Sequence, residues 1–178
     1  MATLTRIFEF DSAHRVMNEK VKCFNLHGHR FKVELTFEYQ TKGSLGYAID
    51  FKEIKRIAGT WLDGNFDHAC ILNPLDYSLI DLCRDNGWNF YVMGLGHGGD
   101  VNPSAENLAS EILYSLGVIF KRSFKDAVIL KNVRLYETPN CWVDTDSVDY
   151  CGVEEVESLL TSWAESMGVF NYDVREDA

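Results

Sequence analysis

The clearest periodicity in the chain lies in residues 30–39, where apolar and polar side chains alternate one by one. Because successive side chains of a β-strand point to opposite faces, the pattern predicts a half-buried antiparallel strand. Residues 6–10 also alternate and are the expected partner of this strand. Residues 132–137 and 142–146 predict two further strands, joined by a turn around Pro139.

Apolar residues recur at helical spacing in three other stretches. A first helix is predicted to begin after Asp50, a favourable N-cap residue, and to end at residues 64–65. A second is predicted to begin with Asn102 as its cap and Pro103 in its first turn, and an extra C-terminal helix is predicted over residues 153–163. The order of elements indicates an α+β fold, with two helices packed on one face of a four-stranded antiparallel sheet.

The segment between the first two helices carries weaker signals. Residues 77–86 predict a short helix, and residues 90–93 predict a short strand. Residues 94–99 match the dinucleotide-binding pattern G-x-G-x-x-G. That pattern requires a βαβ unit with a parallel sheet, whereas the neighbouring strands are predicted to be antiparallel, so an ordinary glycine loop is favoured.

Composition and charge narrow the class of protein. With 178 residues and 46% hydrophobic content, the chain is long enough for a single domain, residues 1–178, with a substantial core. No apolar run is long enough to predict a membrane span. Five cysteines without paired spacing favour the reducing cytoplasm over a disulfide framework. A net charge of −10 argues against nucleic acid as a partner, because phosphate contacts require Lys and Arg.

Three histidines near the start of the long strand predict a metal site. His27 and His29 are two residues apart, so both imidazoles leave the same face of a strand, and Gly28 between them allows another group to approach closely. His14 follows the neighbouring strand, which can bring it beside this pair. Three imidazoles without a fourth protein ligand form an open Zn²⁺ site of the catalytic kind.

Cys23 leaves a second interpretation open, because a thiolate could complete a closed, structural four-ligand site. A thiol that acts as a base or nucleophile generally needs an imidazole partner with its own orienting group. His68, preceded by Asp67, offers that arrangement far downstream in the chain.

Five short motifs, taken together, resemble those of the 6-pyruvoyl-tetrahydropterin synthase and 6-carboxytetrahydropterin synthase superfamily. In chain order they are F-x-x-A-H ending at His14, C-x-x-x-H-G-H from Cys23, Asp67-His68 followed by Leu72-Asn73, the helix start from Asn102 to Ala109, and Glu137-Thr138. They span about residues 4–146, most of the chain. Only the order and the combination make the resemblance specific, since each motif is short.

The resemblance implies a role for each matched residue. It places Zn²⁺ on His14, His27 and His29, and it assigns Cys23 as the catalytic cysteine. It assigns Asp67 and His68 as a catalytic dyad and Glu137 as the residue that anchors the pterin. Glu106 is a further candidate for substrate binding, although a carboxylate there also favours a helix N-terminus.

The resemblance also implies a reaction and an assembly. Three residues separate Cys23 from H-G-H, which is typical of the 6-carboxy branch. That branch converts 7,8-dihydroneopterin triphosphate to 6-carboxy-5,6,7,8-tetrahydropterin, acetaldehyde and triphosphate, on the route to queuosine and other 7-deazapurines. The implied fold is the tunnelling fold (T-fold), in which subunits join their sheets edge to edge. A homo-oligomer, a hexamer built as a dimer of trimers with active sites between subunits, is therefore expected.

Alternatives remain at this point. A 6-pyruvoyl-tetrahydropterin synthase, a hydrolase using zinc-bound water, and a non-catalytic pterin-binding or scaffold protein with structural zinc all fit part of the pattern. The segments 74–101 and 147–178 look like an insert and an extension relative to the family. Lys20 and Lys22 lie beside the cysteine motif and are the expected receptors of the anionic triphosphate.

Overall fold

Two long antiparallel strands form the centre of the fold in this computed structural model, which describes residues 2–94 and 101–146. β1 (Ala2–His14) pairs along its whole length with β2 (His27–Tyr39), and the register places Phe10 opposite Phe31. Every second side chain of β2 from Phe31 to Phe37 is buried. The alternation in the sequence is therefore confirmed as a strand with one face in the core.

The sheet extends from this pair in both directions. On one side, β5 (Val128–Thr138) pairs antiparallel with β2, and β6 (Cys141–Asp146) pairs antiparallel with β5. These four strands are the predicted antiparallel sheet. On the other side, two short strands continue it in parallel, β3 (Cys70–Leu72) beside β1 and β4 (Phe90–Val92) beside β3.

The predicted sheet therefore had too few strands. The observed sheet has six strands, in the order β4-β3-β1-β2-β5-β6. β4 lies at the short strand predicted over residues 90–93, whereas β3 was missed because its three residues are too few to produce a recognisable alternation. α3 (Tyr77–Asn86) connects them at the predicted position. A helical crossover is the usual connection between parallel neighbours, which explains their direction.

The predicted helix after Asp50 forms, with an irregular middle. α1 (Phe51–Ile54) continues through a π-helical turn over Lys55–Gly59 into α2 (Thr60–Asn65). The Asp50 carboxylate accepts a hydrogen bond from the Lys52 backbone N–H at 2.8 Å, so the predicted cap is confirmed.

The second predicted helix begins later than expected. α4 (Ala105–Phe124) has Ser104 as its N-cap, and the Ser104 hydroxyl accepts a hydrogen bond from the Asn107 backbone N–H. The prediction that Asn102 caps the helix is wrong, because Asn102 and Pro103 lie in the loop before it. Their side chains and carbonyls are used elsewhere, as the site shows.

Both main helical segments pack on the same face of the sheet, as predicted. The ring of Phe120 in α4 lies 4.6 Å from that of Phe37 in β2. The ring of Trp61 in α2 lies 4.9 Å from that of Phe66, which in turn contacts Phe10 at 5.5 Å between centroids. A single apolar core therefore joins both helical segments to β1 and β2.

The glycine-rich residues 94–99 follow β4, whose neighbour β3 is parallel to it, so the premise that the adjacent strands are antiparallel was wrong. The strand that follows α4 nevertheless pairs antiparallel with β2, and no parallel βαβ unit continues from the glycines. Residues 95–99 and the predicted C-terminal helix lie outside the described residues. Within the described part of the chain, no helix has the length and apolarity needed to cross a membrane.

Candidate metal centre and active site

The paired ends of β1 and β2 bring the three predicted histidines together. The register places His14 opposite His27, and His29 opposite Ser12 on the same face. One ring nitrogen from each imidazole lies within 4.8 Å of those of the other two. The described residues thus form the three-imidazole group that the H-x-H spacing predicted.

Backbone carbonyls determine which nitrogen two of these rings present. His14 Nδ1 lies 2.7 Å from the carbonyl oxygen of Pro103, and His27 Nδ1 lies 2.7 Å from that of Asn25. A carbonyl oxygen can only accept, so Nδ1 carries the proton in both rings and Nε2 keeps its lone pair. A carbonyl partner of this kind is the usual outer support of a metal-binding histidine.

The Nε2 atom of His14 provides an independent test of whether a metal fits. It is buried and has no hydrogen-bond partner among the described residues. Burial also lowers the pKa of His14 below its usual value, which favours the neutral ring that a metal requires. An unpartnered buried nitrogen directed at two further imidazoles fits a bound cation of the zinc type.

Gly28 is required by the close approach of β1. A Cβ atom at this position would lie 3.0 Å from the carbonyl oxygen of Ser12, closer than side chains normally pack. The predicted close approach at Gly28 is thus a contact with the neighbouring strand's backbone, which keeps the two histidine-bearing strands paired.

Cys23 lies in a short 3₁₀ turn (Lys22–Phe24) and its side chain is exposed. Its carbonyl oxygen accepts a hydrogen bond from the Val16 N–H at 2.8 Å, which holds the turn against the residues just after His14. The Cys23 sulfur does not belong to the imidazole group. Among the described residues, the group therefore has three imidazoles and no sulfur, which favours an open site over a closed four-ligand site.

Asp67 and His68 form a hydrogen-bonded dyad beside β1. His68 Nδ1 lies 2.7 Å from an Asp67 carboxylate oxygen, and the other oxygen accepts a hydrogen bond from the Asp11 backbone N–H at 2.9 Å. The backbone of His68 is left-handed, with φ of 54°, and its N–H donates to the Asp11 carbonyl at 2.7 Å. The carboxylate therefore orients an imidazole that is 76% exposed.

A cavity of about 660 Å³ connects His68 of the dyad to the histidine group, because its lining contains both His68 and His29. Arg30 lines it as well and holds Asp11 through two hydrogen bonds of 3.0 and 2.9 Å. These bonds lower the pKa of Asp11 below its usual value, so the carboxylate stays ionised.

Glu137 lies at a bulge near the end of β5, where the pairing register with β6 shifts between Tyr136 and Thr138. One carboxylate oxygen of Glu137 comes within 3.7 Å of His14 Nε2. Glu137 also lines a second cavity of about 500 Å³, together with His29 and Lys32. The bulge thus turns a strand-end carboxylate toward the imidazole group.

The remaining predicted residues lie farther out. Glu106 is exposed in the first turn of α4, and Lys20 and Lys22 are exposed in the loop after β1. None of the three lines either cavity described above. The cations that do are Arg30 and Lys32, whose placement at alternate positions of β2 follows from the strand pattern.

Comparisons with known proteins show the family of this chain. The sequence profile of the 6-pyruvoyl tetrahydropterin synthase family matches residues 3–147. The chain belongs to this family. Among curated members, 6-carboxy-5,6,7,8-tetrahydropterin synthase from Rickettsia felis is 38% identical over 81% of this chain and 99% of its own length. The enzyme of the same name from Rickettsia bellii is 36% identical, with the same coverage.

Solved structures support the fold of this tetrahydropterin synthase family member. An uncharacterized protein from Wolinella succinogenes superposes with a TM-score of 0.65 at 20% identity, covering 83% of this chain and 98% of that one. The Caenorhabditis elegans 6-pyruvoyl tetrahydropterin synthase gives a TM-score of 0.57 at 21% identity, covering 83% and 96%. The predicted tunnelling fold is confirmed.

Proposed function

We propose that this protein is a zinc-dependent 6-carboxy-5,6,7,8-tetrahydropterin synthase, a lyase. Its substrates would be 7,8-dihydroneopterin triphosphate and one water molecule, and its products 6-carboxytetrahydropterin, acetaldehyde and triphosphate. The observation that carries the proposal is the 38% identity to a relative of that name over 99% of the relative's length. The spacing of three residues between Cys23 and His27 supports the same branch.

His14, His27 and His29 are the residues that would hold zinc, because their converging nitrogens leave a fourth position open for substrate. Zinc bound there would supply a Lewis acid that polarises an oxygen of the substrate side chain. Two backbone carbonyls keep His14 and His27 in the tautomer that this role needs.

Proton transfer is assigned to residues of this chain on either side of the histidines. Cys23 would take a proton from the substrate side chain as a thiolate, because its turn is held next to the end of β1. His68, oriented by Asp67, would act as the partnered acid or base from the cavity it shares with His29.

Binding of the substrate is assigned to Glu137 and to cations. Glu137 offers two acceptor oxygens to the N–H edge of a pterin, from a position next to His14. Lys20 and Lys22 are proposed to receive the triphosphate, and Glu106 is a weaker candidate at the start of α4. The role of Glu137 rests on the family resemblance and its position, whereas that of Lys20 and Lys22 rests on the negative charge of the substrate.

The proposed assembly and setting follow the family. The outer strands β4 and β6 are the edges of the sheet, and pairing them with neighbouring subunits would give the tunnelling-fold hexamer. We regard residues 1–178 as one domain with an insert at 74–101 and an extension at 147–178. A cytoplasmic role in 7-deazapurine synthesis, such as the queuosine route, agrees with the free cysteines.

Product identification tests the proposed reaction. The purified protein is incubated with 7,8-dihydroneopterin triphosphate, and the products are identified by mass spectrometry, with metal-stripped protein as the control. We expect 6-carboxytetrahydropterin and acetaldehyde from the zinc-loaded protein alone. The 6-pyruvoyl product would instead establish the 6-pyruvoyl reaction, dihydroneopterin would establish a hydrolase, and binding without turnover would establish a pterin-binding protein.

A further inference from the structure

The loop before α4 supports the metal site through its backbone. The side chain of Val101 is buried in the main core, and Pro103 is buried as well. The Pro103 carbonyl is the acceptor that holds the proton on His14 Nδ1. Whatever fixes this loop therefore fixes the tautomer and orientation of His14.

The side chain of Asn102 ties this loop to the end of β1. Its Oδ1 accepts a hydrogen bond from the Met17 N–H at 2.8 Å, and its Nδ2 donates to the Met17 carbonyl at 3.2 Å. One amide group thus satisfies both backbone groups of a residue that lies three positions after His14. A side chain of the same shape without the N–H donor could not do this.

Asn73 determines which way the Asn102 amide faces. Asn73 Oδ1 accepts a hydrogen bond from the Leu75 N–H at 2.8 Å, and this orients its Nδ2 to donate to Asn102 Oδ1 at 3.0 Å. Asn73 is buried, with 1% of its surface exposed. Two donors therefore meet at Asn102 Oδ1, and the remaining Nδ2 must face the Met17 carbonyl.

The main chain of Asn102 is held from the other side. Its carbonyl oxygen accepts hydrogen bonds from the Ser104 N–H at 2.8 Å and from Asn107 Nδ2 at 2.9 Å. Together these contacts connect the start of α4, the turn at Asn73 and the segment after β1. That segment also carries the Val16 N–H, which binds the carbonyl of Cys23.

We propose that Asn102 is a positioning residue that aligns His14 through the Pro103 carbonyl and holds the Cys23 turn through the residues after β1. It touches neither the metal ligand atoms nor the reacting thiol, and its effect passes through two backbone connections. The inference rests on the proposed function for the identity of the metal and of the thiol.

The substitution Asn102→Asp tests this role without changing the size of the side chain. It replaces the Nδ2 donor by an oxygen that faces the Met17 carbonyl, so the clamp is lost and the segment shifts. Outer-shell partners of metal-binding histidines typically contribute about 10–100-fold in metal affinity or activity. We expect the zinc dissociation constant, measured by competition with a chelating dye, to rise by that factor.

A matched control is available in Asn132→Asp. Asn132 Nδ2 also donates to a backbone carbonyl, that of Thr145, at 3.2 Å, and to the Asp146 carboxylate at 3.0 Å, but Asn132 belongs to β5 and pairs with β6. The same change of chemistry there should lower stability without changing zinc affinity or turnover by more than about twofold, since it has no connection to a ligand. Thermal unfolding of both metal-free variants separates a general loss of stability from a loss of alignment.

Turnover provides a second readout. If Asn102 positions His14 and Cys23, then Asn102→Asp should lower kcat measured at saturating zinc and saturating substrate, because the reacting groups are no longer aligned. Asn73→Asp, which removes the second donor to Asn102 Oδ1, should act in the same direction. If Asn102→Asp does not fold, the zinc affinity and kcat of Asn73→Asp test the proposal instead.

The proposal is overturned if Asn102→Asp binds zinc as tightly as Asn132→Asp does. It is also overturned if the wild-type protein binds no zinc. The dye measurement needs no pterin. A protein that binds zinc with the expected dependence on Asn102 but produces no 6-carboxytetrahydropterin would refute the proposed reaction and leave the positioning role in place.

Discussion

The imidazoles of His14 and His27 present the same ring nitrogen because a backbone carbonyl binds the other one. The histidine group could be predicted from the sequence, since H-x-H on a strand places two rings on one face. The carbonyl that orients His14 could not be predicted from the sequence, because Pro103 lies 89 residues away in the chain. A backbone acceptor leaves no residue-type signal, and the sequence instead suggested a helix cap at that loop.

The separation between thiol and ligands leads to a prediction for Cys23→Ala. The variant should keep one equivalent of zinc, because the imidazole group does not include the sulfur. Its turnover should fall by about 10²–10⁴-fold, the usual contribution of a positioned acid or base. Metal analysis of the purified variant checks the zinc content, and a product assay checks the loss of turnover. Loss of zinc together with the thiol would instead make Cys23 a ligand.

Arg15 and Asp76 form an ion pair that connects the residue after β1 to the cap of α3. The Asp76 side chain is 1% exposed and that of Arg15 is 19% exposed. Burial alone would raise the pKa of Asp76, but hydrogen bonds from Arg15, Ser78 and the Leu79 N–H bring it below its ordinary value of 3.8. A group with a lowered pKa in the folded state stabilises the protein above its unfolded pKa.

At the scale of this element, Asp76→Asn should destabilise the protein by about 1.5–3 kcal/mol at neutral pH, the usual range for hydrogen bonds to charged groups. Because the pKa of Asp76 is lowered by folding, the difference from wild type should persist down to about pH 4 and close below it. Chemical denaturation across pH measures this. Asp81→Asn, which removes an exposed pair with Arg84 on the same helix, is the control and should change little.

The features that could not be predicted from the sequence are those too short to show a periodic pattern of apolar residues. The β2 alternation and the apolar stripe of α4 extend over several turns or pleats, so they could be predicted. β3 has only three residues and becomes a strand because β1 offers it an edge, whereas β4, which pairs with β3, was predicted at residues 90–93. The bulge that turns Glu137 toward His14 depends likewise on pairing with β6, which no local pattern encodes.

On the scale of the whole molecule, the apolar core extends far beyond the histidine group, which it contacts at Phe31. The core residues of β1, β2, α4 and β5 form one continuous cluster that does not include His27 or His29. Metal removal should therefore abolish turnover and leave a folded protein, since the core does not depend on the ion. Far-UV circular dichroism and a cooperative unfolding transition of the chelator-treated protein check this. Collapse of both signals on chelation would make the metal structural.

The net charge of −10 also acts at this scale, because it opposes an anionic substrate unless local cations attract it. The double substitution Lys20→Ala/Lys22→Ala should raise KM for 7,8-dihydroneopterin triphosphate and flatten its dependence on salt. Screening limits such attraction to about 10 Å at 0.1 M salt. Steady-state kinetics at several salt concentrations measure both effects.

Lys52→Ala/Lys55→Ala is the matched control for that pair, since it removes the same charge from exposed positions in the helical segment after Asp50. If both double variants change KM equally, the effect belongs to the overall charge of the molecule, and Lys20 and Lys22 have no local role.

The close pairing of His14 with His27 has a consequence for the order of folding. All three imidazoles belong to one hairpin, whose strands are joined by residues 15–26, whereas β5 reaches β2 from the far end of the described chain. Short loops close with less loss of entropy than long ones, so the hairpin is expected to form early. Zinc added during refolding should then raise the folding rate, measured by stopped-flow fluorescence, and not only slow unfolding. The ion would act as a nucleus for the sheet before it serves the finished site.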